Sequence, residues 1–335
     1  MLYIPIDHKD VYRSFGLELL LTEHAPVPEE SYLLFWRTTP CLMLGKYQNA
    51  AAEIDLDYAR RKGIQLVRRY SGGGCIYTDE GGWQFSFIRR DEGRQIDFRD
   101  FIEPVVQAIR DLGIPAYFTG RNDLQLEGRK FSGNAQYRRK KHVVHHGSLL
   151  FDSDLDEMER ATTPPRSKLE GKGVASVRER VCNLRDHLPP AEQGLSREGF
   201  RERMVLALAG VKTWRELPIY HLTEEERAEA DELGRRYFAS EEAIWGKDPF
   251  FTQTLHGRFP GGELLLKLNV RHGRIEAAKL EGDFFSTLDP EAFNKALFAC
   301  PYRRGEFRER LEREGFSQSV YRISADELAS LIPEV

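Results

Sequence analysis

The 335-residue sequence has few cysteines, no long apolar run and no excess of positive charge. Its four cysteines form no C-x-x-C pair, which argues against a disulfide framework and a structural zinc site. No apolar run approaches the length of a membrane span, and the first residues, MLYIPIDHKD, lack the pattern of a signal peptide. The net charge is −4, so there is no global basic field for nucleic acid. These absences predict a cytoplasmic protein that binds neither nucleic acid nor membrane.

The pattern of strands and helices predicts two domains. Hydrophobic residues make up 41% and charged residues 30% of the chain, as in a soluble globular protein. Strand-like and helix-like segments alternate up to about Trp245, which predicts an α/β domain over residues 1–245. After a break at WGKDPF, a hairpin turned at His272-Gly273 and three charged helical segments predict a small α+β domain over residues 250–335.

The segment RRYSGGGCIYTD, residues 68–79, contains three consecutive glycines beside two arginines. Glycine weakens a strand interior, so a triplet suggests that another group approaches the backbone closely. The spacing fits neither G-x-x-x-x-G-K-[ST] nor G-x-G-x-x-G. Two interpretations remain open on these residues alone. One is a glycine-rich hairpin turn between Val67 and Ile76, and the other is a loop whose N–H groups face an anion.

Five motifs follow one another along most of residues 30–185. They are RRYSGGG (68–74), RND (121–123), GRKFSGNA (128–135), HHGSLL (145–150) and KGVASVRERVCNL (172–184). Each motif is weak alone, but the ordered set is specific and closely resembles the lipoate–protein ligase family. Two C-terminal segments, WGKDPF (245–250) and GDFF (282–285), resemble the accessory domain of that family.

The resemblance implies a biotin/lipoate protein ligase-like fold: a mixed α/β sheet domain with a small C-terminal α+β accessory domain. It also implies a ligase that forms a carbon–nitrogen bond. Such an enzyme converts lipoate or octanoate and ATP, with Mg²⁺, into an acyl-adenylate and pyrophosphate. The acyl group then passes to a lysine of a lipoyl carrier domain, in an E2 subunit of a 2-oxoacid dehydrogenase or in the glycine cleavage H protein.

The resemblance places the catalytic charge on Lys130, whose ammonium would bridge the substrate carboxylate and the α-phosphate. The glycine segment would form the nucleotide loop, because bare peptide N–H groups can reach a phosphate. Lipoate would contact Lys130, Gly73, His146 and Gly147. The predicted ATP and adenylate contacts are Arg69, Gly72, Gly73, Gly74, Cys75, Ile76, Tyr77, Lys130, Lys172 and Ser176, with Arg180 as a further contact.

Asp123 and Asn122 are the predicted Mg²⁺ side chains, because this ion prefers oxygen ligands. The adjacent His145 and His146 invite a zinc interpretation, but no cysteine or carboxylate stands at ligand spacing. Packing or contact with the substrate pocket is therefore expected for one of them. Thr78 stands where the family usually has histidine, so that histidine's role does not carry over.

Two other functions fit parts of the sequence. A related octanoyltransferase moves the acyl group through a cysteine thioester without ATP, which requires a reactive cysteine near the acyl carbonyl. The corresponding segment here, DSDLDEMERATTPPR, contains no cysteine. A non-catalytic protein that binds a nucleotide or acyl ligand is the second alternative. Lys130 together with Asn122 and Asp123 argues against it.

Overall fold

A computed structural model describes residues 1–27, 30–48, 53–93, 96–162, 180–245 and 251–332 of the chain. By their contacts, the residues divide into two units. The first comprises Met1–Leu44, Ala50–Arg69 and Ile76–Ile244, and the second comprises Gly45–Asn49, Tyr70–Cys75 and Trp245–Val335. The glycine segment therefore groups with the C-terminal residues. Within the described ranges, no helix is long and apolar enough to cross a membrane.

A seven-stranded mixed sheet forms the centre of the first unit among the described residues. Its strands are β1 (Leu2–Ile4), β2 (Tyr32–Trp36), β6 (Gly82–Arg90), β7 (Tyr117–Phe118), β8 (Asp123–Leu126), β9 (Arg129–Arg139) and β10 (His142–Leu150). They lie in the order β1-β2-β6-β10-β9-β8-β7; β1 and β2 are parallel, and every other neighbouring pair is antiparallel.

A second, three-stranded sheet carries the residues on both sides of the glycine segment. It consists of β3 (Cys41–Leu44), β4 (Gln65–Arg68) and β5 (Ile76–Thr78) in the order β4-β3-β5. The glycines thus join two strands that lie on opposite sides of β3 and do not pair with each other. The hairpin-turn interpretation of this segment is therefore wrong.

Local capping signals explain where several helices begin and end. Helix α1 (Val11–Glu23) starts at Asp10, whose carboxylate accepts the backbone N–H groups of Tyr12 and Arg13. Helix α2 (Leu56–Lys62) starts at Asp55 and ends at Gly63 in the left-handed conformation. The other helices of the first unit are α3 (Arg99–Asp111), α4 (Leu155–Thr162), α5 (Arg197–Ala209), α6 (Glu224–Tyr237) and α7 (Glu241–Trp245), with 3₁₀ turns at Leu184–His187 and Pro190–Glu192.

The second unit contains an antiparallel sheet covered on one face by helices. Its hairpin turns at His272 and Gly273, which both have positive φ, as the sequence predicted. Leu264, Leu266 and Leu268 alternate along the middle strand and enter the core beneath the helices. The elements are β11 (Gln253–Phe259), β12 (Gly262–Arg271), β13 (Arg274–Gly282), α8 (Pro290–Leu297), α9 (Arg304–Arg313), α10 (Phe316–Ser319) and α11 (Ala325–Ala329).

Candidate active site

One face of the seven-stranded sheet carries a buried polar row. The register pairs Trp36 with Gln84, Gln84 with Ser148, and Ser86 with His146. Paired residues in an antiparallel sheet point to the same face, so these five side chains share one face. The indole N–H of Trp36 donates to Ser86 Oγ at 3.3 Å. The row runs across β2, β6 and β10, and all five residues are buried.

Helix α1 adds a fully buried carboxylate to this face. Glu18 accepts hydrogen bonds from Ser86 Oγ at 2.5 Å and from Tyr137 Oη at 3.3 Å. Nδ1 of His146 lies 3.2 Å from both carboxylate oxygens. These partners satisfy the polar atoms of the buried side chain, which lowers the cost of its burial. We call Glu18, Ser86, Tyr137 and His146 the Glu18 network. Sequence reasoning missed Glu18, whose only signal is an acidic residue inside the apolar run FGLELLL.

The ammonium of Lys130 lies on the same face, beyond Ser148. Its Nζ is 2.7 Å from Oδ1 of Asp123, and that oxygen is shielded from solvent. The contact is a close ion pair without the angles of a hydrogen bond. Gly133 lies beneath the lysine, and a Cβ there would be 2.9 Å from Nζ and 3.9 Å from Ser148 Oγ. The structure therefore brings Lys130 and Asp123 into contact, while the roles predicted for them stay predictions.

The side chain of Asn122 is bonded to Asn134 of β9. Its side-chain amide donates to the carbonyl oxygen of Asn134 at 3.2 Å, and the amide of Asn134 donates back to the carbonyl of Asn122 at 3.0 Å. The backbone N–H of Asn134 also donates to Asn122 O. These reciprocal bonds link the start of β8 to β9. The metal role predicted for Asn122 stays a prediction.

His145 and His146 face opposite sides of β10. His145 is fully buried, stacks on Phe101 of α3 at 4.8 Å between ring centroids, and has Nε2 3.3 Å from Asn134 Oδ1. Burial, with smaller contributions from His146 and Arg89, holds the pKa of His145 well below its usual value. His145 is therefore a neutral packing residue, whereas His146 lies on the polar face.

Replacing His145 by phenylalanine should weaken the acid sensitivity of the protein. The unfolded chain binds a proton at His145 below about pH 6.5, but the folded chain does not, so folding stability falls as pH falls. The parent should lose about 1.4 kcal/mol more per pH unit below 6.5 than His145→Phe. Urea midpoints at pH 7.5 and 5.5 measure this difference. The exposed His272→Asn should behave like the parent; an equal pH dependence in His145→Phe and the parent would contradict the assignment.

Gly147, a predicted lipoate contact, is required by packing on the other face. A Cβ at this position would overlap the ring of Phe85 and approach the side-chain oxygen of Asn134. Since Gly147 follows His146 along β10, its side-chain position is on the face opposite the polar row. Any contact between Gly147 and a ligand on the polar face therefore has to come from its backbone, and this contact stays a prediction.

Within the second unit, the glycine segment packs tightly against the GDFF segment. A Cβ at Gly72 would overlap the carbonyl oxygen of Phe284, and the N–H of Gly73 donates to that same oxygen at 2.9 Å. A Cβ at Gly45 would overlap the carbonyl of Gly73. Tyr47 stacks on Phe284 with 4.4 Å between ring centroids. The glycine triplet suggested that another group approaches the backbone closely. At Gly72, that group is the backbone of Phe284.

The two arginines that precede the glycine segment are anchored in the first unit. Arg69 is buried, and its guanidinium donates to the carbonyl of Met43 at 2.7 Å. Arg68 donates instead to the carbonyl of Ile244, so the two arginines point in different directions, as strand alternation predicted. Tyr77 is buried, and burial raises the pKa of its phenol. Cys75 and Ile76 are half-buried.

Thr78 takes part in a local contact at the start of the polar row. Its Oγ1 accepts a hydrogen bond from the side-chain amide of Gln84 at 2.6 Å, and both residues are buried. Arg180 is exposed. Lys172 and Ser176 lie outside the described residues. Lys130 and the glycine segment belong to different units, so the nucleotide contacts predicted for both stay predictions.

Comparison with known proteins identifies the family. Residues 10–209 match the lipoyl protein ligase A/B catalytic domain, and residues 248–332 match the bacterial lipoate protein ligase C-terminus. Lipoate-protein ligase LplJ of Bacillus subtilis is 35% identical over 306 residues, which are 91% of this chain and 92% of the relative. The chain belongs to the lipoate–protein ligase family. Membership confirms the predicted family and the predicted ligase class.

Three solved structures resemble this lipoate–protein ligase in fold. P. falciparum LipL1 in complex with lipoate has a TM-score of 0.80 at 19% identity and covers 98% of both chains. A bi-partite lipoate protein ligase of Thermoplasma acidophilum, described with its E2 lipoyl domain, scores 0.63 at 27% identity over 75% of this chain and 98% of its own. Lipoate-protein ligase A bound with ATP scores 0.62 at 25% identity over 73% and 98%. The predicted biotin/lipoate ligase-like fold is confirmed.

Proposed function

We propose that this lipoate–protein ligase activates lipoate with ATP to form lipoyl-AMP and then transfers the lipoyl group to a lysine of a lipoyl carrier domain. The observation that carries this proposal is the ammonium of Lys130, held beside Asp123 at the partly exposed end of the polar face of the sheet. The relative LplJ is named a lipoate-protein ligase, and a structural neighbour of the same family binds ATP.

In the first step, a carboxylate oxygen of lipoate attacks the α-phosphorus of ATP. The bond between the α-phosphorus and its bridging oxygen breaks, and pyrophosphate leaves with the electron pair. Two anions must approach each other, so a fixed cation lowers their repulsion before attack and stabilises the charge that develops afterwards. Lys130 supplies that cation. In the second step, the acceptor amine attacks the acyl carbonyl, AMP leaves, and the amide nitrogen loses a proton.

The predicted lipoate contacts Lys130 and His146 would place the acyl chain along β10, on the face that carries the Glu18 network. Ser148 and His146 are two residues apart on one face, so the network begins about 7 Å beyond Ser148 along the strand. Burial of an eight-carbon chain stabilises the complex by roughly 5–6 kcal/mol as an upper figure, at about 0.8 kcal/mol per CH₂. The predicted contact of His146 with lipoate is consistent with this direction. In this arrangement, the apolar chain supplies affinity and Lys130 acts on the carboxylate.

The predicted Mg²⁺ side chains do not fit a dedicated metal cage. Among the described residues, no group of three His, Cys, Asp or Glu side chains could hold a metal ion. One oxygen of Asp123 is in contact with the Lys130 ammonium, and the amide of Asn122 is bonded to Asn134 O. Mg²⁺ characteristically binds nucleotide phosphates and keeps several water ligands. A Mg²⁺ ion would therefore be held mainly by the nucleotide and water rather than by side chains of the described residues.

The acceptor is a lipoyl carrier domain of a 2-oxoacid dehydrogenase E2 subunit or of the glycine cleavage H protein. The Thermoplasma relative described with its E2 lipoyl domain supports the first of these. The reaction uses soluble substrates at every step, which agrees with the predicted cytoplasmic location. Separate transfer assays with an E2 lipoyl domain and an H protein identify the acceptor.

The decisive experiment is lipoate-dependent exchange of labelled pyrophosphate into ATP by purified, folded protein with Mg²⁺. We expect exchange with lipoate or octanoate and none without an acid, because adenylate formation is reversible. Absence of exchange with either acid would overturn the proposal. ATP-independent acyl transfer that is lost in a cysteine variant would instead establish the octanoyltransferase. Cys41, Cys182 and Cys300 are buried and Cys75 is half-buried, and burial raises the pKa of the Cys182 and Cys300 thiols, which disfavours their reactivity.

A further inference from the structure

Strand β9 contains an extra residue beside Lys130. Asp123 pairs with Gly133 and Leu124 with Ser132, but the next residue, Gln125, pairs with Lys130. Phe131 is therefore the residue that the register skips. Residues three apart in a regular strand point to opposite faces, whereas an inserted residue restores the same face. A Cβ at Gly133 would lie 2.9 Å from Lys130 Nζ, which shows that the lysine is on the same face as Gly133. The bulge turns Lys130 onto the polar face.

The backbone of Lys130 is held from both sides. On one side Lys130 pairs with Gln125 of β8. On the other side its carbonyl accepts the N–H of Cys182 at 3.0 Å, and Lys130 forms an isolated parallel bridge with Val181. These contacts fix where the side chain leaves the strand. The long, rotatable lysine stem still requires a second point of attachment to fix its ammonium.

Asp123 provides that attachment from the neighbouring strand. It lies directly opposite Gly133, so its side chain shares the face to which the bulge turns Lys130. Its Oδ1 is shielded from solvent and 2.7 Å from Nζ. Among the residues that the structure describes, Asp123 is the one acidic group within 4 Å of this ammonium. Shielding of the oxygen strengthens the attraction relative to a fully hydrated pair.

We propose that Asp123 is a positioning residue for Lys130, and that its role in adenylate formation is to hold the ammonium over Gly133 rather than to ligate Mg²⁺. This inference rests on the proposed function. The bulge selects the face, Gly133 leaves room for the ammonium, and the carboxylate sets its position. Asp123 acts on the reaction through Lys130.

The variant Asp123→Asn tests this role by steady-state pyrophosphate exchange. We expect kcat to fall about 10- to 100-fold, since displacement of a catalytic group by about 1 Å costs on that order. The KM values for lipoate and ATP should stay within about 3-fold of the parent, as should the Mg²⁺ concentration for half-maximal rate. Asp123→Glu restores the carboxylate and should recover part of kcat. A kcat within about 3-fold of the parent, or a tenfold rise in required Mg²⁺, would overturn the proposal.

A matched control comes from another ion pair. Asp231→Asn breaks the contact of Asp231 with Arg13, which has the same 2.7 Å separation but joins α1 to α6. It should leave exchange unchanged. Thermal unfolding midpoints of both variants establish that they are folded.

A second readout does not depend on lipoate chemistry. Lys130 in the folded protein is labelled with an amine-reactive ester, and the modified peptide is quantified by mass spectrometry. Release from the carboxylate should raise its labelling rate severalfold in Asp123→Asn, with surface lysines unchanged. An unchanged Lys130 rate would overturn the positioning role. If the parent shows no lipoate-dependent exchange, the proposed function fails, while this labelling still tests the ion pair.

Discussion

Lys130→Ala should abolish lipoate-dependent exchange of pyrophosphate into ATP, with a loss of about 10³-fold. The loss of a preorganised charge at the reacting centre typically costs that much in rate. The side chain is one-third exposed and its main structural partner is Asp123, so the thermal unfolding midpoint should stay close to that of the parent. Exchange rates at saturating ATP and lipoate measure the effect.

Two further variants sharpen this prediction. Lys130→Arg keeps the charge but spreads it over a planar group, so it should recover only part of the rate. Lys62→Ala removes an exposed lysine that is 3.8 Å from Glu157, and it should exchange at the parent rate. If the exchange rate of Lys130→Ala is within a few-fold of the parent rate, Lys130 does not supply the catalytic charge.

Gly72→Ala should destabilise the second unit by roughly 1–3 kcal/mol, the usual cost of forcing extra atoms into a packed site. Its Cβ would overlap the carbonyl oxygen of Phe284, and backbone cannot rotate away as a side-chain end can. The same oxygen accepts the N–H of Gly73, so the clash also weakens that hydrogen bond. A lowered unfolding midpoint in thermal or urea denaturation measures the effect.

Gly74→Ala is the matched control, because a Cβ there meets only Asp283 Cβ, at an ordinary 3.9 Å. It should retain the stability of the parent. The pair also separates two reasons for the glycines. If Gly74→Ala is stable but binds ATP much more weakly, close approach of the nucleotide requires this glycine. If Gly72→Ala is as stable as the parent, the packing explanation of Gly72 is wrong.

Much of the local structure could be predicted because its causes lie within a few residues. Asp10 and Asp55 start helices, and Gly63 ends one, through contacts with the adjacent turn. The His272-Gly273 hairpin needs only two residues that accept positive φ. The motifs also drew attention to Lys130 and Asp123, which the structure shows to be in contact, although the motifs did not predict that contact.

Other features depend on which strands become neighbours. Alternation predicts that His145 and His146 face opposite sides, but not that α3 covers one face and the Glu18 network the other. Glu18 itself lies in an apolar stretch of α1. Its partners Ser86, Tyr137 and His146 come from three strands, β6, β9 and β10. No short pattern connects residues that meet only after the sheet has formed.

The amino-acid sequence by itself determined the helix ends, the hairpin, the family and the residue types of the site, because these follow from local sterics and ordered motifs. Only the tertiary structure decided that Gly72 lies against Phe284, that a bulge turns Lys130 onto the polar face, and that Asp123 meets its ammonium. The physical reason is that sheet register and close packing are set by the whole chain. A shift of one residue in the register of a strand would turn its side chains to the opposite face of the sheet.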